Sequence, residues 1–167
     1  KGVALQAGEE NSSTLSNGLV GYWKMDETSW NGTSNEVVDS SGNANHGTSV
    51  LGAEASPSAK FGNAGYFAGN DEAISVADSA SLDLGDTLTI SLWTKRGVVG
   101  INNYIMQKDA GPYAIGFNAS NQLYLDMPGT GNIFTSTAAF TDTTSFHHIV
   151  FAKKGSSLYV YYDGASV

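Results

Sequence analysis

The amino-acid sequence predicts an all-β protein, an antiparallel jelly-roll β-sandwich made of many short strands. The clearest signal is the run Leu88–Trp93, in which aliphatic residues alternate with polar or aromatic ones at the period of two typical of a half-buried strand. No segment sustains the 3.6-residue period of an amphipathic helix. About eleven strand-like runs recur at intervals of roughly 8–12 residues, which is typical of two packed antiparallel sheets.

The elements follow one another with Gly, Asn and Pro at the turns between them. A first strand is predicted at Leu19–Met25, where apolar residues share one parity, and a long polar loop follows at 27–44. One short helical turn is predicted at Ser79–Leu84, and Gly155–Ser156 is predicted as the turn of the last hairpin. The other strands are predicted at His46–Leu51, Ala64–Phe67, Ala73–Val76, Leu88–Trp93, Tyr104–Gln107, Tyr113–Phe117, Gln122–Leu125, Ile133–Thr137, His148–Lys153 and Leu158–Tyr162.

Composition agrees with this fold class and excludes several functions. The chain of 167 residues has 20 glycines and only 14% charged residues, which suits a sandwich with polar loops and not a helical bundle. The formal net charge of −8 argues against nucleic acid or an anionic membrane as a partner. No run approaches the ~20 apolar residues of a membrane span. The absence of cysteine leaves the redox compartment open.

Five motifs, in the same order along the chain, resemble a laminin-G-like domain of the concanavalin A-like lectin-glucanase superfamily. They are Gly18–Asp26, Asp39–Gly47, Gly62–Phe67, Leu88–Thr94, and the late hairpin made of Phe146–Ala152 and Leu158–Gly164. The resemblance implies a domain at 18–167 after an N-terminal arm or linker at 1–17. Family members usually continue past the Asp-Gly turn with a further strand or two, so the domain is expected to be truncated at its C-terminus.

That expected truncation predicts an open sheet edge. The segment Asp163–Val167 is expected to leave the Asp-Gly turn without a return strand, so that a neighbouring strand carries unpaired N–H and C=O groups. The N-terminal arm at 1–17, a second copy, or a separate chain that completes the fold could cover such an edge. Because the arm has few β-branched and aromatic residues, pairing with a second copy or a separate chain is favoured.

The loop Asp39–Thr48 is the candidate metal site, because it concentrates short oxygen-bearing side chains and glycines. Ca²⁺ takes about 6–8 oxygen ligands, and such a loop can aim several oxygens at one point. From the residues alone, an Asx-rich turn held by its own hydrogen bonds is the alternative. In the resembled family a structural Ca²⁺ often lies beside this loop. The resemblance implies the ligands Asp26, Asp39, Asn43 and Asn45.

The sequence offers little for catalysis or for zinc. No predicted strand has two alternating acids of the kind that glycoside hydrolysis requires, and neither a Gly-x-Ser-x-Gly elbow nor a phosphate-binding loop is present. His147 and His148 are adjacent, so on a strand they point to opposite faces and cannot share one ion. The chain is therefore expected not to be an enzyme.

Aromatic side chains on the predicted strands are the candidate ligand contacts. Sugars pack their C–H faces against aromatic rings and bind planar polar side chains through their hydroxyls, and such sites need few charges. The alternative is that these rings only pack within the sandwich. The predicted ligand-binding residues are Trp93, Tyr104, Tyr113, Asn118, Tyr124, Tyr159 and Tyr161.

Together these observations predict a non-catalytic extracellular or cell-surface recognition module. A glycan is the favoured partner, because the resembled family often accompanies carbohydrate-active or adhesive proteins. The alternative is a protein-binding or structural module of a surface adhesin or appendage. That alternative would show an exposed apolar patch or an open sheet edge instead of a sugar site.

Overall fold

The structure is a computed structural model that describes residues 16–69, 71–108, 113–127 and 129–167. In these ranges the regular structure is strand, apart from one 3-10 turn at Ala80–Leu82 within the predicted helical segment. All strand pairs are antiparallel. The strands are β1 (Gly47–Val50), β2 (Glu54–Ser56), β3 (Ala64–Tyr66), β4 (Ala73–Val76), β5 (Thr87–Thr94), β6 (Asn103–Gln107), β7 (Ala114–Phe117), β8 (Gln122–Met127), β9 (Gly131–Ala139), β10 (His147–Lys154), β11 (Ser157–Tyr162) and β12 (Ala165–Ser166).

The predicted all-β antiparallel fold class is thus confirmed. The chain falls into two compact units, of which the first ends at Leu82 and the second is Asp83–Val167. The predicted N-terminal arm at 1–17 lies almost wholly outside the described residues. The predicted domain at 18–167 stays a prediction.

The first unit contains two small sheets, in which β1 pairs with β4 and β2 pairs with β3. The prediction of a first strand at Leu19–Met25 was wrong. In the described structure this segment does not form a strand, and its Trp23 forms an isolated β-bridge with Asp39. Two features interrupt a ladder there. Met25 has a left-handed φ of 58°, and the backbone N–H of Tyr22 donates to the Asp39 side chain at 2.8 Å instead of to a strand.

The second unit contains two four-stranded sheets, ordered β12-β11-β10-β5 and β6-β7-β8-β9. The alternation predicted at Leu88–Trp93 is observed, since Leu88 and Ile90 are buried while the intervening residues are exposed. The core of this unit takes aliphatic and aromatic side chains from both sheets. Its fully buried members are Ile115, Phe117, Leu123, Leu125, Ile149 and Phe151.

The expectation that Asp163–Gly164 lacks a return strand was wrong. Asp163 and Gly164 both have positive φ, 50° and 80°, the combination of a type I′ hairpin turn. Beyond that turn, Ala165–Ser166 pairs with the end of β11, and the N–H of Val167 donates to the Val160 carbonyl at 3.1 Å. A dimer or a completing chain at this edge stays a prediction.

Candidate functional site

Two tyrosines lie side by side on the face of the β6-β7-β8-β9 sheet that points away from the core. Tyr104 on β6 and Tyr124 on β8 are both register partners of Gly116 on β7 between them. Their ring centroids are 6.3 Å apart at an interplanar angle of 75°, an edge-to-face contact. Tyr104 is 63% exposed. We call Tyr104 and Tyr124 the tyrosine pair.

Gly116 makes this arrangement possible. A Cβ at that position would lie 2.9 Å from the Tyr124 hydroxyl and would also collide with the backbone oxygen of Asn103. Only glycine therefore lets the phenol extend across β7. Gly116 is not among the site residues predicted from the sequence, although an isolated glycine within a strand pattern is a recognised sign of close approach.

Polar groups border the tyrosine pair. Along β8, the partly exposed Gln122, Tyr124 and Asp126 alternate with buried aliphatic side chains, so these three share the outward face. Burial, together with the neighbouring Tyr104 and Asp126, raises the pKa of Tyr124 to about 12. Its hydroxyl therefore stays protonated at neutral pH and remains both a donor and an acceptor.

Asn118 lies in the turn that precedes β8, and its side chain builds that turn. Its carbonyl oxygen accepts the backbone N–H groups of Ser120 and Gln122 at 3.0 and 2.9 Å. Its side-chain Nδ2 donates to Gln122 Oε1 at 3.1 Å. Through Gln122, Asn118 supports the border of the tyrosine face.

Three other predicted ligand residues, Trp93, Tyr159 and Tyr161, lie on the outward face of the other sheet of the second unit. Trp93 on β5 stacks on His148 of β10 with ring centroids 5.0 Å apart, and His148 Nε2 lies 2.9 Å from the Ser91 hydroxyl. Trp93 and Tyr159 are 42% and 57% exposed. We call Trp93, Tyr159 and Tyr161 the Trp93 patch. The predicted ligand residues thus divide between two sheets.

Tyr113 belongs to neither face. It is 7% exposed and packs in the core of the second unit, where burial raises the pKa of its hydroxyl. Its parity with the buried Ile115 and Phe117 explains this placement, because alternate residues of a strand share one face.

The Asp39 loop is held together by the Asp39 carboxylate, which is buried and accepts four hydrogen bonds. Oδ1 accepts the backbone N–H groups of Tyr22 and Ser41, both at 2.8 Å. Oδ2 accepts the Ser41 hydroxyl at 2.8 Å and the Asn45 N–H at 3.0 Å. Burial acts to raise the pKa of Asp39, but these hydrogen bonds outweigh it and lower the pKa.

The other predicted metal ligands point to separate partners. Asn43 and Asn45 use their amide groups as donors to the backbone oxygens of Leu19 and Val20, at 3.0 and 2.8 Å. Asp26 Oδ1 accepts the N–H of Asn63 at 3.2 Å. Within the described ranges, no group of three or more His, Cys, Asp or Glu residues is placed to hold a metal.

As folded here, these residues do not fit Ca²⁺. Both oxygens of Asp39 already face hydrogen-bond donors, and a cation would have to displace at least one of them. Among the described residues, the hydrogen bonds of Asp26 go to Asn63 and none of them reaches the Asp39 loop. Calcium binding by Asp26, Asp39, Asn43 and Asn45 therefore stays a prediction, while the observed geometry is that of the Asx-rich turn.

His147 and His148 occupy opposite faces of β10, as adjacent strand residues must. His147 Nδ1 lies 2.7 Å from Asp163 Oδ2, and its Nε2 lies 3.2 Å from Asp142 Oδ2. The imidazole thus joins the loop before β10 to the last turn. Because its two nitrogens face different carboxylates, the three side chains do not converge on one point. His147, Asp142 and Asp163 therefore have a structural role, in which the imidazole links the two segments.

A family model described as Concanavalin A-like lectin/glucanases superfamily, of the laminin G group, matches residues 68–167. No curated protein and no solved structure matches the chain. None of the helical structure in the described part of the chain is long and apolar enough to cross a membrane.

Proposed function

The chain belongs to the Concanavalin A-like lectin/glucanases superfamily, because the matched region exceeds half its length, and on this premise we propose that it is a non-catalytic carbohydrate-binding module. The membership and the antiparallel sheets identify a concanavalin A-like jelly-roll domain, and this class contains carbohydrate- and protein-binding modules. Because laminin G-like domains are typically extracellular, we also propose an extracellular or cell-surface location.

The observation that carries the proposal is the tyrosine pair over Gly116. A sugar ring can lay its C–H face on the exposed Tyr104 while its hydroxyls reach the Tyr124 hydroxyl and the polar groups of β8. Because Gly116 has no side chain, the surface between the two strands that carry the tyrosines stays open to a ligand. The ring positions are determined by strand register, so little ordering is required when the ligand binds.

Charge narrows the ligand class to neutral glycans. Asp126 lies on the same outward face of β8, and the whole chain has a net charge of −8. A uronic or sialic acid would bring a second negative charge to this face, where Asp126 would repel it. A neutral hydroxyl can donate to the Asp126 carboxylate instead.

Affinity electrophoresis in gels containing soluble neutral polysaccharides tests the proposal. We expect Tyr104→Ala to weaken retardation by about tenfold, equivalent to ~1.4 kcal/mol, because it removes the exposed ring of the pair. Tyr124→Phe deletes one hydroxyl and keeps the packing, so its effect should be smaller. Tyr159→Ala, on the Trp93 patch, is the matched control and should bind like the wild type.

The same variants test the second candidate, a protein-binding surface. The observation that favours it is the Trp93 patch, since Trp93 and Tyr159 are exposed aromatic rings on one sheet face and aromatic residues are enriched at protein interfaces. Retardation that Tyr104→Ala leaves unchanged would refute the tyrosine face as the glycan site. Loss of retardation with Tyr159→Ala alone would assign glycan binding to the Trp93 patch. The absence of retardation in every polysaccharide would favour the protein-binding alternative.

A further inference from the structure

A cleft of about 350 Å³ lies within the first unit, between the loop at Trp30–Gly32 and the turn that joins β1 to β2. Its volume is near the lower end of the range found for small-molecule sites, which suits a ligand of one ring and not a long chain. None of the residues predicted from sequence as site residues lines it. The lining residues used below are Trp30, Asn31, Leu51, Gly52, Ala53 and Glu54.

Both walls of the cleft are held in place. On one side, the Glu36 carboxylate accepts the N–H groups of Asn31 and Gly32 at 2.7 and 2.8 Å and the Ser49 hydroxyl at 2.6 Å. On the other side, Leu51 and Gly52 have φ angles of 54° and 96°, the two positive values of a tight two-residue turn. The cleft is therefore preformed, which lowers the ordering cost of binding.

Trp30 is an immobilised aromatic wall. The residue is 8% exposed, and its indole N–H donates to Glu27 Oε2 at 3.2 Å. Glu27 is itself anchored, because its other oxygen accepts the Val38 N–H at 3.0 Å. The small part of the ring that lines the cleft offers an apolar contact for the C–H groups of a sugar.

The cleft also offers one donor and one acceptor. Asn31 Oδ1 accepts the N–H and the hydroxyl of Thr33, which leaves the Nδ2 hydrogens without a bond to any described residue. The Glu54 carboxylate likewise has no hydrogen bond or ion pair within the described ranges. A hydroxyl group matches both, since it can accept from an amide and donate to a carboxylate.

Charge argues against ionic ligands. No Lys, Arg or His is among the described residues that line the cleft, and Glu54 would repel an anion. An ammonium group would satisfy Glu54 but would meet the Asn31 Nδ2 donor with another donor. We infer that the cleft is a second carbohydrate site, distinct from the tyrosine pair, that takes a single neutral sugar residue. The inference rests on the proposed function for the class of ligand and on the cleft alone for its position.

Nuclear magnetic resonance titration of the Trp30 indole N–H with monosaccharides tests this inference. Loss of the resonance in Trp30→Phe assigns it. The probes are glucose, galactose, mannose and N-acetylglucosamine, with glucuronate as the anionic comparator, each up to ~100 mM because one ring makes few contacts. At least one neutral sugar should shift the resonance saturably, and glucuronate should not.

Two variants separate binding in the cleft from a general effect. Asn31→Asp removes the Nδ2 donor but keeps the acceptor for Thr33, and Glu54→Gln removes the charge of an exposed side chain. Asn31→Asp should weaken the titration by about threefold to tenfold, the range for one lost hydrogen bond. Glu54→Gln should weaken it by about threefold, because its amide oxygen still accepts the hydroxyl and only the contribution of the charge is lost. Tyr104→Ala is the control and should leave it unchanged. Because Glu54→Gln alters only an exposed side chain, this variant is expected to fold. It therefore tests the inference even if Asn31→Asp does not fold.

The outcomes distinguish this inference from the proposed function. An intact indole titration together with polysaccharide retardation that Tyr104→Ala does not alter would refute the tyrosine face and support the cleft. The inference is overturned if no neutral sugar shifts the Trp30 resonance, if glucuronate binds as well as glucose, or if Glu54→Gln titrates like the wild type.

Discussion

At Asp39 one carboxylate connects three parts of the first unit. It accepts hydrogen bonds from Tyr22, from its own loop at Ser41 and from Asn45 just before β1. Removing a buried acceptor costs more than the net value of its bonds, because the donors it leaves behind are desolvated and unpaired. The residue is therefore expected to matter for folding whether or not a cation binds nearby.

Asp39→Ala should lower the free energy of unfolding by about 2–4 kcal/mol, since several backbone N–H groups lose their acceptor. Asp86→Ala is the matched control. Asp86 is an exposed carboxylate paired with Lys153 at 2.9 Å, and such surface pairs contribute about 0–1 kcal/mol. Urea unfolding measures both variants.

The same measurement in chelator and in excess Ca²⁺ tests the predicted calcium site. A cation that binds only the folded protein adds about 2.7 kcal/mol at 100 times its Kd. We expect the loss caused by Asp39→Ala to persist in chelator, because the four hydrogen bonds need no metal. A loss seen only with Ca²⁺ present would show that Asp39 acts as a metal ligand.

In the last hairpin, the turn at Asp163–Gly164 determines whether β12 pairs with β11. The two residues between β11 and β12 both adopt left-handed φ angles, and the Asp163 carboxylate secures the turn through His147 and the His148 N–H. Because of this turn, Ala165–Ser166 returns along β11.

Gly164→Ala should destabilise the protein by about 1 kcal/mol. Gly164 has φ of 80°, and a Cβ there would meet nothing within 4 Å, so the cost is conformational and not steric. Gly97→Ala is the control, because Gly97 has equally open surroundings and no left-handed φ. It should leave the midpoint of thermal unfolding unchanged or slightly raised. Equal losses in both variants would show that the turn conformation is not the cause.

Across the described molecule, several carboxylates favour the charged form in the folded state. For Glu36, burial acts to raise the pKa, but hydrogen bonds from Ser49, Asn31 and Gly32 outweigh it and lower the pKa to about 2. Asp39 behaves in the same way within its loop. The hydrogen bond from His147, followed by that from the His148 N–H, lowers the pKa of Asp163.

Stability should therefore fall as the solution is acidified. A group whose pKa is lower in the folded state stabilises that state above its unfolded pKa of about 4, and this contribution is lost as the pH falls towards the folded value. The urea midpoint should decline between about pH 4.5 and pH 2, with the Glu36 contribution disappearing near pH 2. Glu36→Gln should show a shallower decline. A midpoint that stays constant or rises over this range would contradict the assignment.

The sequence by itself determined the fold class and most of the strands. Local signals suffice for these features, because the alternation of Leu88–Trp93 and the glycines between runs depend only on near neighbours in the chain. The same parity, applied to Tyr113, would have placed that ring in the core. The superfamily could likewise be predicted, since its motifs keep their order along the chain.

Only the tertiary structure decided which side chains meet. Strand pairing across the sheet brought Tyr104 and Tyr124 together over Gly116, and it assigned Trp93, Tyr159 and Tyr161 to another sheet. It also turned the Asp39 carboxylate toward hydrogen-bond donors and enclosed the cleft beside Trp30. These contacts join residues far apart in sequence, and no local pattern specifies the register or loop path that closes them.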